Sequence, residues 1–220
     1  MKSVLITGGT VRLGAAIAER LRAEGWCVIT SSHRADAGAD IVADLSESMG
    51  AAKLYAAALR MLDGNPPDAL VNNAALFTGD AAAIAAVNLE SPKKLTMLMA
   101  GREAGVGTVV NILDAAVFPG ERASRPFGGG EGSGYLASKR SLLAFTRSSA
   151  ETFAATLRVN AVAPGPVLAP TEVHMKAGEM LLDRRPTADD VAAAVSYLLS
   201  AEATTGTVIP VDAGQNLLQA

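Results

Sequence analysis

Two hundred and twenty residues, half of them hydrophobic and 19% charged, are enough to bury one sizeable core, which excludes a disordered polymer and points to a single domain over residues 1–220. A formal net charge of −3 gives no general attraction to nucleic acid or to an anionic membrane, so neither is an expected partner. The single cysteine, Cys27, excludes an intramolecular disulfide, and its apolar neighbours predict a buried, reduced thiol. No apolar stretch reaches the roughly 18 residues of a membrane span, and the apolar run at Val4-Leu5-Ile6 is too short for a signal peptide. A cytoplasmic chain is expected.

In chain order, Val4-Leu5-Ile6 is a short apolar run without polar alternation, as a strand covered on both faces requires, and it enters the turn Thr7-Gly8-Gly9-Thr10. From Val11 to Glu24 the positions Leu13, Ile17 and Leu21 form one helical stripe, stopped by Gly25. Strands are predicted at Cys27–Thr30 and Ile41–Val42, then a helix from Ser46 to about Leu62, closed by Gly64-Asn65-Pro66-Pro67. The alternation continues with a strand at Ala69–Val71, an Ala-rich helix over 81–100, a strand at Thr108–Ile112, a helix over Tyr135–Ala154 and a strand at Leu157–Val162. Thr187 with Asp190 three positions on predicts a capped helix running to Leu199. In the last strand, Val208–Val211, Pro210 predicts an edge position or a strand start. Such alternation specifies an α/β fold, a parallel sheet with helices on both faces.

Two constellations bear chemistry. The turn Thr7 to Gly14 joins the first strand to the first helix, where glycines let the backbone approach a pyrophosphate and the helix N-terminus meets its charge. A purely structural turn is the alternative. It lacks the Gly-Lys-Ser/Thr ending of a nucleoside-triphosphatase loop. The second constellation is Tyr135-Leu136-Ala137-Ser138-Lys139, whose spacing puts phenol and ammonium on one helix face. A fixed cation would stabilise the phenolate and lower a pKa that is ordinarily about 10. A solvated helix face is the bland alternative.

Taken in order, Thr7-Gly8 to Gly14, Asn72-Asn73-Ala74-Ala75 after the fourth strand, Asn88, Tyr135 with Lys139, and Pro164-Gly165 resemble the short-chain dehydrogenase/reductase family, over nearly the whole chain to Val211-Asp212-Ala213-Gly214. The resemblance implies a single Rossmann-type, doubly wound parallel sheet of about seven strands. It implies a nicotinamide coenzyme held by Gly8, Arg12, Leu13, Gly14, Ser32, His33, Arg34, Asp44, Leu45, Asn73, Ala74, Tyr135, Lys139, Pro164 and Gly165. Asp114, Tyr135, Lys139 and Asn88 are the implied catalytic set, with Asn88 holding a water next to the lysine. Arg184 and Arg185 fall in the segment that closes over substrate in this family; a solvated arginine pair is the alternative.

Arg12 stands where the family usually has glycine, and Asp114 where it usually has serine. Those changes, together with Phe77 and Ser32-His33-Arg34, resemble the pteridine reductase and dihydromonapterin reductase branch. A carboxylate beside a ketone would repel the developing alkoxide, so Asp114 suits a substrate with hydrogen-bond donors, such as a pterin. Arg12, Phe77, Asp114 and Tyr135 are the expected substrate contacts. A strand-end cap is the other reading of Asp114, and a core lid the other reading of Phe77. Arg34 favours NADPH, through a 2′-phosphate, while Asp36 keeps NADH open.

The sequence therefore predicts an NADPH-dependent reductase of a pterin-like C=N bond, a small-molecule enzyme with no metal. A carbonyl reductase of the same family and a non-catalytic NADPH sensor are the alternatives. By resemblance it is a homotetramer, packed through the Ala-rich faces of 81–100 and 141–155. Asp114 and Tyr135 lie 21 positions apart, an interval longer than usual that contains the glycine-rich segment 127–134, either a lid or a passive insertion.

Overall fold

The computed structural model describes residues 1–103, 105–118, 134–167 and 180–218; the glycine-rich segment lies outside them except for Gly134. Seven strands form one sheet: β1 Ser3–Thr7, β2 Cys27–Ser32, β3 Ile41–Val42, β4 Ala69–Asn72, β5 Gly107–Ile112, β6 Leu157–Pro164 and β7 Val208–Val211. Their order is β3-β2-β1-β4-β5-β6-β7 and every pair is parallel. Connections run outward from β1 in both directions, so a crevice opens between β1 and β4 at the carboxyl ends of the strands, the place where doubly wound sheets bind ligands.

Apolar runs without polar alternation become strands here because both faces are covered. Val4 and Ile6 pack with Ile17, Leu21, Val191 and Val195, from helices α1 (Arg12–Ala23) and α6 (Ala188–Ser200). Leu5, between them, faces the opposite layer with Leu54, Ala58, Leu95 and Met99, from α2 (Gly50–Met61) and α4 (Ser91–Ala100). Fully burying each such leucine or isoleucine contributes about 1.5–3 kcal/mol. On that second face α3 (Ala81–Ala85), a π-helical turn at Ala86–Glu90 and α4 follow one another without a break, and α5 (Gly134–Thr152) packs beside them.

Several expectations are corrected. Cys27 is exposed: it is the first residue of β2, at the end where the chain enters the sheet, and its thiol stays in solvent. The second helix begins at Gly50, because the Asp44 carboxylate accepts from both the amide and the hydroxyl of Ser46 and so holds a turn there (2.8 and 2.6 Å). β2 extends through polar Ser31 and Ser32, and β6 through Ala163 and Pro164. Pro210 does lie on an edge strand, paired only with β6. The Thr187–Asp190 capping box forms as predicted, and Asp190 also takes both Nη atoms of Arg184 at 2.7 and 2.8 Å, making that arginine part of the helix cap. No helix among the described residues is long and apolar enough to cross a membrane.

Candidate active site

A cleft of about 820 Å³ runs along the carboxyl ends of the strands. Every residue predicted to touch coenzyme or substrate lines it; of all the predicted site residues only Asn88 does not.

The β1–α1 turn forms one end. Gly8 has φ +62° and Arg12 has φ +52°, so the arginine holds the left-handed backbone that favours glycine. Gly14 is buried, and a Cβ there would overlap the carbonyl oxygen of Gly8 and lie 2.6 Å from the Asn73 amide. That amide donates to the carbonyls of Thr7 and Gly8 at 3.0 and 2.9 Å, fixing the turn from β4. Thr7, to which sequence reasoning gave no role, completes the clamp: its hydroxyl accepts from the backbone amides of Asn73 and Ala74, both at 3.0 Å. Helix α1 opens on Val11, with no side-chain cap and no acidic residue in its first turn. Its N-terminal amides and positive dipole end are therefore open to an anion in the cleft. A diphosphate fits this cradle.

Further along, Arg34 lines the cleft but is held by Asp36, with Nε to Oδ1 at 3.0 Å and Nη2 to Oδ2 at 2.8 Å. The pair raises the pKa of Arg34 and lowers that of Asp36, each chiefly through their hydrogen bond. Asp44 is likewise lowered, by the hydroxyl and amide of Ser46. Both Ser46 bonds fall on Oδ1, and among the described residues Oδ2 has no donor.

Asp114, Tyr135 and Lys139 meet at the other end. Asp114 follows β5 and its two oxygens have different partners. Oδ1 accepts from the amide of Ala116 at 2.9 Å, capping the short turn Ala115–Val117, and Oδ2 accepts from the Tyr135 hydroxyl at 2.9 Å. The cap and the functional contact thus coexist on one carboxylate. Lys139, one helical turn after Tyr135, is 2% exposed and donates to the carbonyl of Ile112 at 2.7 Å. Among the described residues its other two protons have no acceptor.

The electrostatics reverse the sequence expectation. The Tyr135 phenol is pushed well above its ordinary pKa by burial first, then by the negative charge of Asp114 and by donating to it. Burial brings Lys139 down to about 8, against the opposing pull of Asp114. The lysine sits 5.8 Å from the phenol ring centre, whereas the carboxylate is in hydrogen-bond contact with the hydroxyl and adds to the effect of burial. The site holds a protonated phenol, the state a proton donor needs.

Phe77 stacks on Tyr135, with ring centres 4.8 Å apart and planes inclined by 29°, and stays 47% exposed. One of its faces thus covers the phenol. Asn88 lies fully buried in the π-helical turn, one layer behind the cleft. Its Oδ1 accepts from the amide of Leu76, and its Nδ2 donates to the carbonyl of Leu76 and to Ser138 Oγ, tying the loop before Phe77 to α5. A single π turn is a frequent local irregularity at functional sites. Gln215 and Leu218 also line the cleft; sequence reasoning missed them, the only signal being their place just after Gly214.

Comparison with known proteins agrees with this geometry. A family model described as enoyl-(acyl carrier protein) reductase matches residues 11–216. Levodione reductase from Leifsonia aquatica is 32% identical over 97% of this chain and 93% of its own length. Pteridine reductase 1 from Leishmania tarentolae is 29% identical over 98% and 96%. Among solved structures, FolM alternative dihydrofolate reductase 1 from Brucella canis, complexed with NADP, superposes with a TM-score of 0.82 at 31% identity, covering 98% of this chain and 94% of that one. With a seven-stranded parallel sheet, a glycine turn at its switch point and a Tyr–Lys pair beside it, the chain belongs to the short-chain dehydrogenase/reductase family.

Proposed function

We propose that the protein is an NADPH-dependent reductase of a planar, pterin-like C=N bond. The observation that carries this reading is the Tyr135–Asp114 hydrogen bond beneath Phe77, which joins a proton donor to a carboxylate acceptor on the wall of the cleft.

The turn Gly8–Gly14 and the open end of α1 would hold the pyrophosphate, Ser32, His33 and Arg34 the 2′-phosphate, and Asp44 Oδ2 the adenine amine. Leu45, Ala74, Pro164 and Gly165 would supply the cleft walls, and the two unused donors of Lys139 would bind the nicotinamide ribose. Bound NADPH supplies a hydride to the substrate carbon. Tyr135 turns its proton from Asp114 to the ring nitrogen, which becomes strongly basic as it gains the electron pair of the broken π bond. Asp114 Oδ2, freed of the phenol, accepts from the exocyclic amine or a ring N–H of the substrate. A ketone offers no such donor, and its developing alkoxide would be repelled by the same carboxylate. Arg12 and the exposed face of Phe77 would flank the ring. The similarity to pteridine reductase 1 and to an NADP-bound alternative dihydrofolate reductase supports both substrate and coenzyme. Assembly as a homotetramer through the 81–100 and 141–155 faces belongs to the same proposal.

The second reading, a carbonyl reductase, is favoured by the similarity to levodione reductase. Following NADPH absorbance against a panel of oxidised and dihydro-pterins, dihydrofolate, cyclic diketones and oxoacyl thioesters separates the two. Turnover confined to the heteroaromatic compounds is expected. Turnover confined to the ketones overturns the reading.

A further inference from the structure

We propose that Gln215 is a substrate-specificity residue: its carboxamide, on an otherwise apolar wall of the cleft, receives an uncharged hydrogen-bonding substituent carried by the substrate ring. This rests on the reading of the site as a reductase of a pterin-like ring, and it states which such rings the site favours.

The chain is folded to bring Gln215 to the cleft. After β7 it reverses through two left-handed residues, Ala213 (φ +56°) and Gly214 (φ +80°), into the short turn Gln215–Leu217. Asp212, 3% exposed, holds that reversal: Oδ1 accepts from the Gly214 amide at 3.0 Å, and Oδ2 from the amide and the side chain of Asn216 at 2.7 and 2.6 Å. From the other side the Ala213 carbonyl accepts from the amides of Leu181 and Leu182 at 3.0 and 3.1 Å. An alanine rarely adopts this backbone, so these bonds are what keep the turn in place.

The turn packs against Ala115–Val117, the turn that Asp114 caps, and Gln215 Oε1 lies 3.4 Å from where a Cβ on Gly165 would stand. The carboxamide is therefore at the Asp114 end of the cleft, on its β6–β7 side, whereas Phe77 enters from the β4 side. Beyond β6 and β7 the described lining is Pro164, Gly165, Pro166, Val167, Gln215 and Leu218. It carries no charge, and Gln215 is its one polar side chain. Among the described residues the half-buried carboxamide makes no hydrogen bond, so its two N–H donors and its oxygen are available to a molecule in the cleft. Under the proposed function Asp114 and Tyr135 engage the ring itself, so what reaches Gln215 is a group the ring carries. A neutral group that both donates and accepts suits such a wall; a carboxylate would lose its hydration there with no cation to offset the loss. A hydroxyalkyl chain fits, with Leu218 against its carbons and Gln215 on its hydroxyl.

The test is kcat/KM of the full chain, with NADPH saturating, for three dihydropterins whose side chains are hydroxymethyl, methyl and carboxyl. Wild-type protein should favour hydroxymethyl over methyl by about five- to tenfold, with the carboxyl compound poorest. Gln215→Met and Gln215→Leu should abolish the preference by raising KM for the hydroxymethyl compound alone, while kcat for the methyl compound and NADPH affinity stay within about twofold of wild type. Equal wild-type values for hydroxymethyl and methyl, a carboxyl compound that outperforms both, or a preference that survives in both variants overturns the proposal while the pterin reading stands. A parallel loss of NADPH affinity in both variants also overturns it, because the carboxamide would then serve the coenzyme. Wild-type protein that reduces none of the three overturns both the proposal and the function on which it rests.

Discussion

The two ends of the cleft are made of different materials. At the β1–α1 turn recognition is built from backbone: left-handed residues at Gly8 and Arg12, a Gly14 with no room for a Cβ, carbonyls clamped by Asn73, and an uncapped helix end. At the end of β5 it is built from buried ionisable side chains whose proton affinities are set by one another and by burial. The shape of the main chain therefore governs one end, and burial together with the charge beside one phenol governs the other. Damage at the first end should appear in coenzyme affinity, and damage at the second in turnover and in pH dependence.

The largest separation is expected from Tyr135→Phe, which removes the proposed proton donor and leaves the turn untouched. Its kcat should fall by about 10²–10⁴-fold. Calorimetric titration with NADPH should stay within about twofold of wild type, since a hydroxyl bonded to Asp114 contributes little to holding the coenzyme. A parallel collapse of affinity would show that the two ends are not separable.

The converse variant is Gly14→Ala. Its Cβ meets the Gly8 carbonyl and the Asn73 amide, so the turn must shift, at a cost of about 1–3 kcal/mol in stability. Coenzyme affinity should fall about tenfold or more, because the pyrophosphate depends on those amides. Thermal melts and fluorescence titration read the two effects.

A smaller effect comes from pH. Lys139 titrates near 8 in the folded chain, below the ordinary lysine value, so between those two values the unfolded chain holds the extra proton. Stability should therefore rise with pH across that window, by about 3 kcal/mol. Above the ordinary tyrosine value the sign reverses, because folded Tyr135 keeps a proton that the unfolded chain has lost. Activity should carry the same signature: kcat/KM should fall through a single step near pH 8, as the ammonium proposed to hold the ribose loses its charge, with no step from Tyr135 below pH 10. Lys139→Arg should move that step beyond pH 10 while lowering the plateau.

The strand positions and the coenzyme and substrate positions along the cleft were legible, the strands from local signals and the cleft residues from the ordered motifs that resemble the family. An apolar run at Val4–Ile6 or Val109–Val110 can only be covered on both faces, and a glycine turn followed by a helical stripe states where the switch point lies. Relations between distant residues carried no such signal. Spacing along α5 put Lys139 beside Tyr135, but nothing in that spacing reports that the lysine turns to the Ile112 carbonyl while a carboxylate from β5 takes the hydroxyl. Burial first, and then that carboxylate, raise the phenol's pKa where the Tyr–Lys spacing predicts it lowered. The π-helical turn around Asn88 is equally silent in a run of alanines, since it is fixed by bonds to Leu76 and Ser138 from other segments. Cys27 misled because an apolar run does not say which of its residues lies at the lip of the sheet.

The central claim is that Asp114 selects the substrate through its charge and through the phenol it engages. Replacing Asp114 by Ser tests it most directly, with kcat/KM for a dihydropterin and for a cyclic diketone measured side by side at neutral pH. The account predicts that dihydropterin reduction falls by about 10²-fold while diketone reduction holds or rises, reversing the preference. A variant that reduces the dihydropterin as fast as wild type, or loses both activities in equal proportion, would contradict it.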